Sequence, residues 1–274
     1  MKKSLAFAAV ALMALAVPLS AQAHRQWILP SSTVLSGNDA WVGVDGGISN
    51  GVFIADHAAM RLDNMRVTAP DGATVVQTEN PQVGKYRSTF DVHLSQPGTY
   101  RIANNSVGVM ATWTLNGETG RYRGPAAGLT AAVPAGATNV VSAASATRLE
   151  TFVTLGDATT EVFKPTGEGI ELVPVTHPND LVEGEPATFQ FLRDGKPYAD
   201  AEVTVARGGT RYRNSPEEIT ARTDADGKVT ITWPAAGMYW VNTAWRDPTA
   251  PAGMGRGGPP VASASYVAVL EVLP

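Results

Sequence analysis

Histidine is scarce in this chain, and its four copies, His24, His57, His93 and His177, sit in four different local settings. His24 carries the most chemistry. When the chain is processed immediately before it, one residue holds both a free α-amine and an imidazole. The amine nitrogen and Nδ1 then close a chelate ring on a metal ion. An α-amine and an imidazole both lose their protons close to neutral pH, so both can donate lone pairs there. Nitrogen donors without thiolate suit Ni(II), Cu(II) or Zn(II), and Cu(II) binds tightest where nothing selects against it. Two nitrogens hold a metal poorly, so His57 and His93 are the candidates for further ligands, with a plain surface histidine as the alternative at each. His57 follows Asp56, a carboxylate placed to orient its ring from behind. His93 shares the polar face of an alternating segment with Asp91. His177 precedes Pro178 and reads as a turn residue.

Other chemistries find little to work with. Cysteine is absent, which removes disulfides, thiolate metal sites and thiol catalysis. No serine lies in a Gly-x-Ser-x-Gly elbow and no His-Glu-x-x-His occurs. Asp224-Ala225-Asp226-Gly227 resembles the opening of a calcium loop but lacks its later ligands. Gly253-Met254-Gly255 has neither the strand-to-helix setting nor the Lys-Ser/Thr of a phosphate cradle. No enzyme activity is expected. A formal net charge of −4 with dispersed charges argues against nucleic acid and anionic membrane as partners.

The elements that must position the histidines are strands. Residues 1–23 read as a cleavable export signal: Lys2 and Lys3, an apolar run from Leu5 to Val17, then Ala21-Gln22-Ala23 as the cleavage site. The run is shorter than the roughly 20 apolar residues of a membrane span and closes on Pro18 and Ser20, so a periplasmic protein without membrane insertion is expected. Tyr86 to Leu94 alternates, with Tyr86, Ser88, Phe90, Val92 and Leu94 on one face. Pro70-Asp71-Gly72 marks a hairpin. Asp56 to Met65 is the one segment that looks helical. Gly117 to Ala146, rich in Gly, Ala and Pro, reads mostly as loop. A second β module opens at Ile170, where Ala187–Leu192 is expected to pair with Ala201–Ala206 through Asp194-Gly195. Trp41, Trp113, Trp233 and Trp240 lie within strands and are read as core. Short strands with frequent turns predict an all-β chain of two β-sandwich-like domains, residues 24–168 and 169–274, the second immunoglobulin-like and able to fold alone.

Four segments together carry a family resemblance: His24-Arg25-Gln26-Trp27-Ile28-Leu29-Pro30-Ser31, Ile170-Glu171-Leu172-Val173-Pro174-Val175-Thr176, Asp194-Gly195-Lys196-Pro197 with Ala201-Glu202-Val203, and Thr223-Asp224-Ala225-Asp226-Gly227-Lys228. They resemble domain of unknown function 4198, a family of exported bacterial proteins linked to periplasmic components of nickel and cobalt uptake. The resemblance implies a mature start at histidine, a β-rich first domain and an immunoglobulin-like second. It also implies a role beside an inner-membrane transporter or an outer-membrane receptor. The expectation is an accessory protein that binds nickel, cobalt, copper or zinc for uptake or handling. The alternative is a non-catalytic β-sandwich adaptor that contacts a transporter, a receptor or a glycan without metal. A third reading is an oxidative copper enzyme built on an N-terminal histidine brace.

Overall fold

The computed structural model describes residues 24–250 and 260–274. The predicted export signal lies outside the described residues. In chain order the strands begin with β1 (Arg25–Pro30), β2 (Val34–Leu35), β3 (Ala40–Ser49), β4 (Ala58–Ala59), β5 (Met65–Thr68) and β6 (Val75–Val76). Then come β7 (Thr78–Val83), β8 (Arg87–Leu94), β9 (Gly98–Leu115), β10 (Glu118–Gly124) and β11 (Thr138–Leu155). The later strands are β12 (Ile170–Pro174), β13 (Pro186–Arg193), β14 (Lys196–Pro197) and β15 (Glu202–Arg207). β16 (Ile219–Arg222), β17 (Lys228–Thr232), β18 (Gly237–Arg246) and β19 (Ser263–Val272) complete the series.

These strands form three sheets. A five-stranded sheet runs β1-β3-β8-β7 with β4 beside β3, and a four-stranded sheet joins β12, β13, β14 and β17. Between them lies a ten-stranded sheet whose main path is β16-β15-β18-β19-β11-β9-β5-β6. Period-two alternation explains why one sheet can serve two cores. On β19, Tyr266, Ala268, Leu270 and Val272 meet Phe189, Phe191, Val229 and Ile231 of the four-stranded sheet. Val267 and Val269, on the opposite face, meet Trp27, Ile28, Val42 and Phe90 of the five-stranded sheet. The chain is all-β, and its later strands form an immunoglobulin-like sandwich.

The residue 168/169 division falls between β11 and β12, yet the large sheet runs across it. Ser145 to Thr151 of β11 pair in parallel with Ser263 to Val269 of β19. A buried ionic cluster ties the same junction. Glu150 accepts from the Tyr266 hydroxyl at 3.0 Å and from Arg148 at 3.3 Å. Glu171 takes Arg148 at 3.2 Å and the amides of Thr166 and Gly167 at 2.8 and 2.7 Å. Burial beside the Glu150 carboxylate pushes the Tyr266 phenol well above its ordinary value, so it stays a donor.

Alternation in β8 is as read, with Ser88, Phe90, Val92 and Leu94 buried. The Pro70-Asp71-Gly72 hairpin joins β5 to β6, and the Asp71 carboxylate accepts the Ala73 and Thr74 amides. Four expectations change. Asp56 to Met65 is not helical, because Ala58 and Ala59 pair with Ile48 and Gly47 at the sheet edge. Gly117 to Ala146 is largely strand: β10 and the start of β11 flank β9 on either side. Its backbone is satisfied by that pairing while most of its side chains face solvent, so it needs few large apolar residues. β13 does not pair with β15. Their apolar faces meet across the sandwich from separate sheets. Trp41 is 49% exposed, whereas Trp113, Trp233 and Trp240 are buried.

Candidate metal centre

β1 is the element that fixes His24, which immediately precedes it. Arg25 pairs opposite Ser49 at the far end of β3. Trp27 crosses Gly47 in that register, and its ring lies flat on the glycine; an added Cβ there would come within 2.5 Å of the indole. The indole N–H donates to Ser49 Oγ at 2.8 Å, closing the corner from which the next loop departs. Arg25 is itself buried, ion-paired with Glu218 and set 4.8 Å over the ring of Trp240. Trp240 Nε1 donates back to the Gln26 carbonyl at 2.9 Å. The strand that follows the predicted cleavage point is thus held at its start by contacts 193 and 214 positions away in the chain.

The loop from Asn50 to His57 folds back toward that start. The Asn50 amide donates to Asp56 Oδ1 at 2.9 Å, and Asp56 N–H reaches the Ile54 carbonyl at 2.9 Å. Phe53 takes a left-handed φ of 59° and packs edge-on to Trp27 at 6.0 Å. Asp56 therefore braces the loop through Asn50. The loop delivers His57 onto His24, with ring centroids 3.6 Å apart and planes within 10° of parallel. Neither imidazole has a hydrogen-bond partner among the described residues, and both are exposed.

Chemically, the pair offers two imidazoles plus the α-amine that processing would free. Imidazole lone pairs lie in the ring plane, and two parallel planes share no point. The stacked rings therefore cannot both aim at one ion until one turns about its side-chain torsions. Exposure leaves room for that turn, and Zn–N and similar bonds of about 2.0–2.1 Å suit rings already in contact. The donor set fits a borderline divalent transition metal. Among the described residues, no group of three or more His, Cys, Asp or Glu side chains converges.

His93 stands elsewhere. It pairs across from Trp41 at the opposite end of β3, eight positions from Ser49, or roughly 27 Å at ~3.4 Å per residue. It stacks on Trp41 with centroids 4.5 Å apart, and its Nε2 is engaged by Asp39. The structure thus brings His24 and His57 together and leaves His93 apart. His177 is a partly buried bonding residue: Nδ1 accepts the Asn179 amide at 3.1 Å, and Nε2 lies 3.1 Å from Thr99 Oγ1. Burial lowers its pKa, opposed by the Thr159 carbonyl and Asp180.

A cleft of about 630 Å³ opens beside His24. Arg25, Gln26, Arg123, Asn242, Arg246 and Ser263 are among the residues that line it. Sequence reasoning reached His24 and His57 but not these residues, because the contacts that assemble them join segments remote in sequence.

A family model described as "Domain of unknown function (DUF4198)" matches residues 21–247. No curated protein matches the chain. Among solved structures, the D0-D1 domain of intimin is 13% identical with a TM-score of 0.23, over 90% of this chain and 97% of that one. Trypsin-activated alpha-2-macroglobulin from Escherichia coli is 12% identical with a TM-score of 0.24, over 90% of this chain and 15% of that one. An ICAM-5 D1-D4 ectodomain fragment is 12% identical with a TM-score of 0.22, over 91% of this chain and 51% of that one. At such TM-scores the fold assignment rests on the strand topology described above.

Proposed function

The chain belongs to the domain of unknown function 4198 family, and from that premise and the histidine pair we propose that it is a periplasmic accessory protein that binds a divalent transition metal through its mature N-terminus. The ion is nickel, cobalt, copper or zinc, and the role is its uptake or handling beside a membrane transporter or receptor. One observation carries this reading. Two of the four histidines, 33 positions apart, meet ring to ring at the residue that export would make the first. No catalysis is assigned to the pair.

Calorimetry with Ni(II), Co(II), Cu(II) and Zn(II) tests the reading on protein that begins at His24 and on protein carrying one extra Gly before it. The extension keeps both imidazoles but turns the amine into a peptide nitrogen, which must lose a proton before it can bind. Affinity should fall on the order of a hundredfold, about 2.7 kcal/mol. Equal affinities would remove the amine from the site, and no binding to either form would remove the metal. A second reading, a metal-free adaptor that contacts a protein or glycan, draws on Trp41. That indole is half exposed on the outer face of the five-stranded sheet, where a partner's apolar face could rest.

A further inference from the structure

We infer that the cleft beside His24 receives a small polycarboxylate that carries the metal ion in as its chelate. The inference rests on the reading of His24 and His57 as metal donors and names what completes their site.

Three observations support it. The first is a shortage of donors. The α-amine and two imidazoles supply three nitrogens, and no third His or carboxylate joins them in a converging group among the described residues. Tetragonal Cu(II) and octahedral Ni(II) take four to six ligands, so these three nitrogens leave at least one position open to another donor. The second is space. The cleft starts at His24 itself, and its 630 Å³ falls within the ~300–1,000 Å³ of ordinary small-molecule sites.

The third is charge. The one carboxylate in the lining, Glu218, is engaged by Arg25. Arg123 from β10 and Arg246 from β18 both line the cleft, and neither guanidinium has a hydrogen-bond or ion-pair partner among the described residues. Two uncompensated guanidiniums repel a bare divalent cation. They attract carboxylates, which they bind in a two-pronged fork. A divalent ion held by a tricarboxylate carries a net negative charge and meets both conditions: its carboxylates face the arginines while the ion faces His24, which lines the cleft and carries His57 stacked on its ring. The hydroxyls of Ser263 and Thr147, also in the lining, can donate to the remaining carboxylate oxygens, Thr147 while accepting from Ser265 at 3.5 Å.

The test uses citrate, Cu(II) and Cu(II)–citrate as three separate titrants on protein beginning at His24. The titrations are followed by calorimetry, and native mass spectrometry detects a ternary complex. Cu(II)–citrate should bind with citrate retained. The double variant R123A/R246A should weaken Cu(II)–citrate at least tenfold, leave Cu(II) alone unweakened, and unfold at the wild-type temperature because both side chains are exposed. Arg66→Ala, on β5 away from the cleft, should change neither titration. If Cu(II) binds alone but Cu(II)–citrate loses its citrate, or if the double variant binds the chelate as wild type does, the chelate proposal fails and the metal reading stands. If citrate alone binds and Cu(II) does not bind in either form, both fail together.

Discussion

Both ends of β3 carry a histidine stacked flat on another ring, and the two pairs differ in what they leave free. At one end His24 lies on His57 at 3.6 Å; at the other His93 lies on Trp41 at 4.5 Å, with planes within 10° of parallel in each. Stacking alone therefore says nothing about metal. The second pair contributes one imidazole, already engaged by Asp39, and an indole whose nitrogen donates a proton and has no lone pair to give. The first contributes two imidazoles with no hydrogen-bond partner among the described residues and sits at the predicted new N-terminus. What separates the two pairs is the number of nitrogen donors: the first offers two imidazoles beside the α-amine that processing would free, whereas the Asp39 contact leaves the second a single ring nitrogen, His93 Nδ1.

The largest expected effect tests that difference directly. His57→Ala should weaken Cu(II) binding on the order of a hundredfold in protein beginning at His24, about 2.7 kcal/mol, while His93→Ala leaves it unchanged. Both residues are surface-placed, so both variants should fold, which a thermal melt confirms. Equal losses in the two variants would erase the distinction between the pairs.

Next in size is the difference between the anchors behind the pairs. Arg25 is buried, its side chain 9% exposed, and its partner Glu218 is 28% exposed; Asp39 beside His93 is 76% exposed. Removing one member of a mostly buried pair strands the other, and Arg25→Ala also loses the contact over Trp240. It should cost about 2 kcal/mol in urea unfolding. Asp39→Ala should cost under ~1 kcal/mol, as exposed pairs do. If Arg25→Ala proves as mild as Asp39→Ala, the N-terminal strand is not held by this contact and the register of His24 needs another cause.

How much of this was legible beforehand follows from the range of each interaction. Alternation of apolar residues is local, so β8 and the β5–β6 hairpin could be read along the chain. His24 was legible because its position relative to Ala21-Gln22-Ala23, and not its contacts, made it chemical. The meeting of His24 with His57 depends on a loop braced by Asn50 and Asp56, and the helical reading of Asp56 to Met65 pointed away from it. The cleft was hidden entirely. Arg25 and Glu218 are 193 positions apart, and Arg123 lies in a segment whose Gly-rich composition concealed a strand. Tyr266 to Leu270 of β19 are buried without a break, and only the topology shows that the strand's two faces serve two cores.

A third histidine setting sharpens the contrast through pH. His177 is partly buried with both ring nitrogens bonded, and burial holds its pKa below the ordinary 6.5. The neutral form is thus favoured by folding. Its stabilisation is present above the unfolded value and is lost as pH falls through the folded one. Melting temperature should decline between pH 7 and pH 5, and His177→Asn should flatten that decline. The lowered carboxyls of Asp71 and Asp247 titrate below 3.8 and stay outside this window. A decline undiminished in the variant would place the titrating group elsewhere.

The smallest effect belongs to the Trp41–His93 pair itself. Both side chains reach solvent, so deleting either removes little buried apolar area, and a directly opposed cross-strand pair contributes roughly 0.2–1 kcal/mol. Trp41→Ala should shift the melting temperature by no more than ~2–4 °C, and a double-mutant cycle with His93→Ala should return a coupling below ~1 kcal/mol. Fluorescence gives an independent check, because Trp27 and Trp233 are almost fully buried while Trp41 is not. Losing Trp41 should reduce the long-wavelength, quencher-accessible part of the emission, to which the partly exposed Trp245 still contributes, and leave the buried part in place. Cu(II) affinity should not move. A coupling well above 1 kcal/mol would make this pair a fold-holding contact, and a shift in Cu(II) affinity would mean that the two ends of β3 communicate, which the separate placement of their rings gives no means to do.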